Sequence, residues 1–233
     1  MGAYPNEARR PQGKNRWAGR PAARLWLAAL ATGLFAFAFG CLYFFLRQYV
    51  KDGVWHFDLT LVNKSLGTTA LFLIALSMFL TGVAYFSGSS KTLAYRKHYG
   101  LVGFWAGLAH GAVNHILIPA VGLHAERKTE ALHSEALGLI ALVVFGALAV
   151  LSLPKVKGCV GGATWRKLLR YGGYAGLILA AGHTALLKWE SWTNFFRTFK
   201  PVLPSLSLPI ALFAAAAVLL RLAAWIAGKN RKA

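Results

Sequence analysis

Six long apolar runs, separated by short polar stretches, dominate this 233-residue chain. They cover roughly 25–45, 66–86, 99–123, 136–153, 171–187 and 203–226. A helix rises about 1.5 Å per residue, so about 20 apolar residues cross the hydrocarbon of a bilayer. Inside lipid the backbone must satisfy its own hydrogen bonds, which leaves helices or closed barrels. Runs this long are helical, not strand-like. The predicted fold class is therefore all-α integral membrane: a six-transmembrane-helix bundle with both termini cytoplasmic. The connections are too short for an extramembrane domain. Residues 1–23, rich in Arg, Pro and Gly, read as a disordered basic cytoplasmic arm. Residues 24–228 form the six-helix domain, and 229–233 a basic cytoplasmic tail.

The direction of insertion comes from charge. A net charge of +19 would point a soluble chain toward nucleic acid. Here the basic residues alternate with the runs. Arg9, Arg10, Lys14, Arg16, Arg20 and Arg24 precede the first run. Lys91, Arg96 and Lys97 lie between the second and third. Lys155, Lys157, Arg166, Lys167 and Arg170 lie between the fourth and fifth, and Lys229, Arg231 and Lys232 follow the sixth. The opposite side carries eight: Arg47, Lys51, Lys64, Arg127, Lys128, Lys188, Arg197 and Lys200. Lys and Arg are retained in the cytoplasm, so the first group and both termini are predicted inside. The charge then meets anionic lipid, and the partner is the bilayer, not nucleic acid. Trp55, Trp189 and Trp192 are read as headgroup anchors. Pro119 is expected to kink the third span. A pass along the chain finds no internal repeat.

Cys41 and Cys159 are predicted at different levels, which excludes a disulfide between them. There is no Cys-x-x-Cys-His, so covalent haem attachment is not signalled.

The chemistry-bearing residues are histidines. His56, His124 and His133 fall in outer loops or at helix ends, and His98 lies among Arg96 and Lys97. His110, His115 and His183 lie within apolar runs. An ionisable side chain at bilayer depth is costly and is a functional candidate by default. His110 lies about 16 Å along its helix from Tyr99, and His183 about 18 Å from Tyr171. Both helices run outward from the cytoplasm, so the two imidazoles reach one plane. His115 is turned about 140° from His110 and is not expected to share its metal. Gly103 and Gly107 share a face with His110, and Gly172 and Gly176 with His183. Small residues leave room for a flat ring, so one b-type haem held by His110 and His183 is the leading expectation, with Gly107 and Gly176 against it. The competing expectation is a cofactor-free transporter or scaffold, whose glycines pack helices and whose histidines pack or relay protons. No Asp or Glu lies in the six core runs, which disfavours a proton-coupled transporter. A zinc site needs three or four ligands where two converge here. No Gly-rich nucleotide loop is present, so no flavin or nicotinamide domain is fused to the chain.

Three stretches resemble the ferric reductase-like transmembrane family, nearest its haem-binding membrane subunits of bacterial periplasmic methionine sulfoxide reductase systems. The first is Tyr95-Arg-Lys-His-Tyr-Gly-Leu-Val-Gly-Phe-Trp-Ala-Gly-Leu-Ala-His110. It is similar to the family's basic pair, Leu-Gly, aromatic and Leu-x-His. The second runs from Ser134-Glu-Ala-Leu-Gly-Leu-Ile-Ala to Ala149-Val-Leu-Ser152. The third is Trp165-Arg-Lys-Leu-Leu-Arg-Tyr with the later His183. The likeness covers 95–189. It implies an inner-membrane electron-transfer component of a reductase system, with His110 and His183 as iron ligands. It also implies an electron donor on the cytoplasmic side or a membrane quinol, FMN or quinone as further cofactors, and an outer acceptor. That acceptor would be a separate periplasmic reductase, or ferric iron or another oxidant. Arg96, Lys97, Arg166 and Arg170 would face an anionic donor or a haem propionate, if they do more than set topology. Where the family pattern has a His in Trp-Arg-x-Leu-His-Arg, this chain has Leu169. The departure implies one haem, not two.

Overall fold

The computed structural model describes residues 22–53, 55, 57–89, 91–122 and 129–230. Most of the predicted arm, the last three tail residues, His56 and His124 lie outside the described residues. Among those described, the chain is helical without strands. Helix α1 is Ala22–Asp52, α2 Leu59–Ser87 and α3 Leu93–Ala112. A π turn over Val113–Leu117 joins α3 to the short α4, Ile118–Ala120. Then come α5 Thr129–Leu151, α6 Pro154–Val160, α7 Gly162–Thr198 and α8 Ser207–Asn230.

Local chemistry sets the helix ends. Asp58 caps α2, its carboxylate accepting from the Leu61 amide at 2.8 Å. Gly88 ends that helix in the left-handed conformation, at φ 65°. Pro119 has no amide hydrogen and crowds the carbonyl four residues back. The π turn just before it widens the helix, and the bond that closes it runs from the Ile118 amide to the Val113 carbonyl. The expected proline kink is thus taken up as an extra residue in one turn. The helix α6 and the two residues by which α1 extends into the predicted arm were not foreseen. Nor was the continuation of α7 through 188–198, beyond the fifth apolar run.

Five helices are long and apolar enough to cross a membrane: Ala22–Asp52, Leu59–Ser87, Leu93–Ala120, Leu132–Leu151 and Ser207–Gly228. The sixth predicted run, 171–187, lies inside α7, which falls short of them in hydropathy although it has 37 residues. Its glycines, tyrosines and His183 lower the average. The exterior is apolar, with Leu34 69%, Phe35 73% and Val143 65% exposed. That is the surface of a protein whose solvent is lipid.

Half of the apolar window of α2 is buried, against 17% or less in the other four. Helix α2 is therefore the axis of the bundle. It packs on α1, α3, α7 and α8. Contacts between neighbours run from α2 to α3, α3 to α5, α5 to α7, and α7 back to α2. These four close a ring, with α3 and α7 on opposite corners. The core filling it includes Leu71, Ile74, Met78, Phe145 and Leu177. In lipid, apolar burial gives no drive for helices to associate, so close packing must supply it. Gly103 does so: a Cβ there would lie 3.1 Å from the Ile74 backbone nitrogen and 2.9 Å from its side chain. Trp192 is not a headgroup anchor. It is buried, and its indole donates to Ser207 Oγ at 3.2 Å, fastening α7 to the start of α8. Trp55 and Trp189 are exposed as expected, and Trp55 stacks on Tyr49. Both cysteines are free.

Candidate functional site

His110 and His183 come from the opposite corners of the four-helix ring and meet near its centre. Their ring centroids are 6.4 Å apart and their planes are inclined by 62°. Each ring is half-buried and is held by the neighbouring helix. His110 Nδ1 lies 2.7 Å from Asn63 Oδ1 and 3.0 Å from the Asn63 carbonyl. His183 Nδ1 lies 2.6 Å from the Ser134 carbonyl and 3.0 Å from Ser134 Oγ. The Ser134 hydroxyl also reaches the His183 carbonyl at 3.0 Å. Acceptors around each Nδ1 place the proton there, because carbonyl oxygens cannot donate. Each Nε2 then keeps its lone pair, and none of the hydrogen bonds found at either ring involves it.

The floor of each seat is a glycine. A Cβ on Gly67 would sit 3.1–3.2 Å from three atoms of the His110 ring, and one on Gly138 2.9 Å from His183 Nδ1. Asn63 and Gly67 are one turn apart on α2, and Ser134 and Gly138 one turn apart on α5. The two seats therefore read alike in sequence: Asn63-Lys64-Ser65-Leu66-Gly67 and Ser134-Glu135-Ala136-Leu137-Gly138. Both follow the pattern polar, charged, small, Leu, Gly. Each motif lies near the start of the first helix of a hairpin, and the histidine it holds lies on the second. The hairpins α2–α3 and α5–α7 thus share this five-residue motif and the placing of the histidine it holds. Sequence reading missed Asn63, Gly67, Ser134 and Gly138. The signal available was this doubled five-residue motif, hidden because little else in the hairpins is similar.

Asn63 is buried and does a second task. Its amide donates to Asn114 Oδ1 at 3.4 Å, linking the His110 seat to the π turn. His115 leaves the same turn exposed, near enough for its charge to act on His110. His98 lies at the other end of α3, its Nδ1 3.2 Å from the Ala94 carbonyl and its ring edge-on to Trp26. His133 is exposed.

The glycines expected beside the pair are engaged in helix packing. Gly107 faces Ala70 and Leu142, with room for ordinary contact, whereas a Cβ on Gly176 would meet the Phe145 ring at 2.8 Å. Gly172 likewise seats Leu148. Two apolar clefts, of about 330 and 320 Å³, open beside α7 toward α5 and α8, and neither is lined by His110 or His183. The basic residues expected to meet an anionic donor are spread along the other end of α3 and α7. Lys97 donates to the Ser152 carbonyl at 3.2 Å, Arg96 reaches Met78 Sδ at 3.8 Å, and Arg166 is exposed. Leu169 is half-buried. Among the described residues no group of three or more His, Cys, Asp or Glu converges on one point. What the arrangement offers chemically is two imidazoles, each held through Nδ1, with ring centroids 6.4 Å apart. A scan against protein-family models and a search of curated proteins find no match to this chain.

Proposed function

We propose that this chain is a six-span b-type cytochrome of the ferric reductase-like kind, in which His110 and His183 ligate a single haem. The observation that carries the reading is the spacing of the two rings. An imidazole nitrogen sits about 2 Å from a ligated metal, and its ring centre lies about 1.1 Å behind it. Two imidazoles holding one metal from opposite sides would therefore have centroids about 6.2 Å apart. The separation here is 6.4 Å. The inclination of 62° fits as well, since each ring is free to turn about its own metal–nitrogen axis. The donor set also fits, because metal-ligating histidines give their second nitrogen to a carbonyl or side-chain acceptor.

When bound, haem supplies a one-electron change at fixed ligation. The chain's residues do the rest. Asn63 and Ser134 fix the tautomer and make the ligating nitrogens more basic. Gly67 and Gly138 let the rings lie flat against α2 and α5. The apolar packing from Phe145 and Leu177 keeps the centre dry. Helix α7 then serves as the sixth span, and 17 basic residues against eight put both termini in the cytoplasm. A cytoplasmic donor, with FMN as a candidate carrier, or membrane quinol would supply the electrons. An outer acceptor would receive them, for which the resemblance favours a separate periplasmic reductase. With Leu169 where the family pattern has a His, one haem per chain is the stoichiometry.

The second reading keeps the same bundle without a cofactor. It is favoured by the glycines of α3 and α7, which pack against neighbouring helices, and by the hydrogen bond each histidine already makes. Replacing His110 and His183 singly by Ala separates the two. Loss of bound haem in both, with the apoprotein still inserted, is the expected result. A protein that never binds haem, even when supplied with it, supports the second reading.

A further inference from the structure

Lys188 acts on His183, and Lys64 and Arg47 act on Lys188; among the described residues none of these three cations forms an ion pair, and the carboxylate acting on Arg47 is that of Asp52, five residues on. Arg47 is half-buried near the end of α1. Its Nε donates to the Leu203 carbonyl at 3.1 Å, and one turn earlier the Tyr43 hydroxyl donates to the Pro204 carbonyl at 2.8 Å. The segment before α8 thus holds the guanidinium at one point and the preceding turn of α1 at another. Lys64 follows Asn63, the residue that holds His110. Lys188 is half-buried on α7, five residues past His183, and its charged neighbours are Lys64 and Arg47. Its own charge acts on His183. Glu135, at the position in the α5 motif that Lys64 takes in the α2 motif, acts on His183 but is not among the groups acting on Lys188. Lys51 pairs with Asp52 at 3.2 Å, near the end of the same helix as Arg47.

Like charges brought together at the rim of an apolar bundle repel one another, and the repulsion grows as water is excluded. An anion among them would reverse its sign. Arg fixed through Nε keeps its remaining N–H groups for carboxylate recognition, and the two Lys add point charges on long stems. We infer that Arg47, Lys64 and Lys188 form an anion clamp from α1, α2 and α7 that holds the paired carboxylates on the edge of the haem. The inference rests on the haem reading above. It places the carboxylate contacts at this end of the bundle, and not on Arg96, Lys97, Arg166 or Arg170. The clamp adds affinity and fixes which way round the ring enters its seat.

The test is a binding titration of the haem-free, detergent-solubilised full chain with haem b and with its dimethyl ester, whose carboxylates carry no charge. Wild type is expected to bind haem b about tenfold or more tighter than the ester, followed through the Soret band. In Lys64→Gln/Lys188→Gln that preference disappears while ester affinity stays, which also reports an intact seat. Lys64→Arg/Lys188→Arg keeps the preference, and so does Arg166→Gln. If the Gln pair takes up neither form, the single variants decide, each losing part of the preference. Equal affinity of wild type for both forms, or full preference retained in the Gln variants, overturns the clamp and leaves the haem reading standing. Uptake of neither form by wild type overturns the haem reading, and the clamp with it.

Discussion

Gly138→Ala is the sharpest perturbation of the proposed seat. The new methyl would stand 2.9 Å from His183 Nδ1, 3.1 Å from Cε1 and 3.2 Å from Cγ. Carbon contacts are comfortable at about 3.5–4.0 Å, so the ring must retreat by about half an ångström. It cannot retreat freely, because Nδ1 is tied to the Ser134 carbonyl at 2.6 Å. Either that bond stretches or the ring tilts. Overpacking of this kind costs about 1–3 kcal/mol. At 1.4 kcal/mol per tenfold, haem affinity should fall by about 5- to 150-fold. The assay is haem titration of the solubilised apoprotein, with the low-temperature EPR of the oxidised form as a readout of axial geometry. Gly146→Ala is the control on the same helix. Its Cβ would meet Phe104 at 3.7 Å, an ordinary contact, and affinity should not change. Wild-type affinity and an unaltered EPR spectrum in Gly138→Ala would refute the seat.

Gly67→Ala should act in the same direction on His110, more mildly, since its Cβ clears the ring by 3.1 Å or more. Asn63→Leu removes the side-chain acceptor but leaves the backbone carbonyl, so haem should stay. With one hydrogen bond of about 1 kcal/mol lost, the midpoint potential should rise by up to about 40 mV in a redox titration. His115→Ala and His133→Ala should leave haem content unchanged by pyridine haemochrome assay, because both side chains are exposed and neither is hydrogen-bonded into the seats. Reporter fusions at either end should be active only in the cytoplasm; an N-terminus accessible from outside would invert the proposed topology.

The bundle was legible because lipid imposes one strong rule, that apolar runs of sufficient length become helices. Five runs carry that signal without ambiguity. The sixth, in α7, is weak for a physical reason: Gly172, Gly173, Gly176 and His183, which shape the packing and the site, also dilute the hydropathy. The two histidines stood out because a titratable group at depth is rare. Their seats did not. Asn63 and Ser134 look like ordinary polar residues near helix starts, and only the fold shows that each lies against an imidazole from another helix. The glycines show how a correct pattern can mislead. Their periodicity marks a close-packed face, but periodicity does not name the neighbour. Gly176 meets Phe145, while Gly67 and Gly138, on helices without a histidine of their own at depth, touch the rings. Trp192 was misplaced for a related reason, since amphipathic Trp near a helix end serves equally as a membrane anchor or as an interhelical hydrogen-bond donor.

The central claim is that one haem lies between His110 and His183. The most direct measurement is the optical spectrum of the full chain purified from haem-supplied cells, with haem counted against protein by pyridine haemochrome. The account predicts a low-spin, bis-imidazole b-type spectrum at about one haem per chain. Colourless protein, or the same spectrum persisting in His183→Ala, would contradict it.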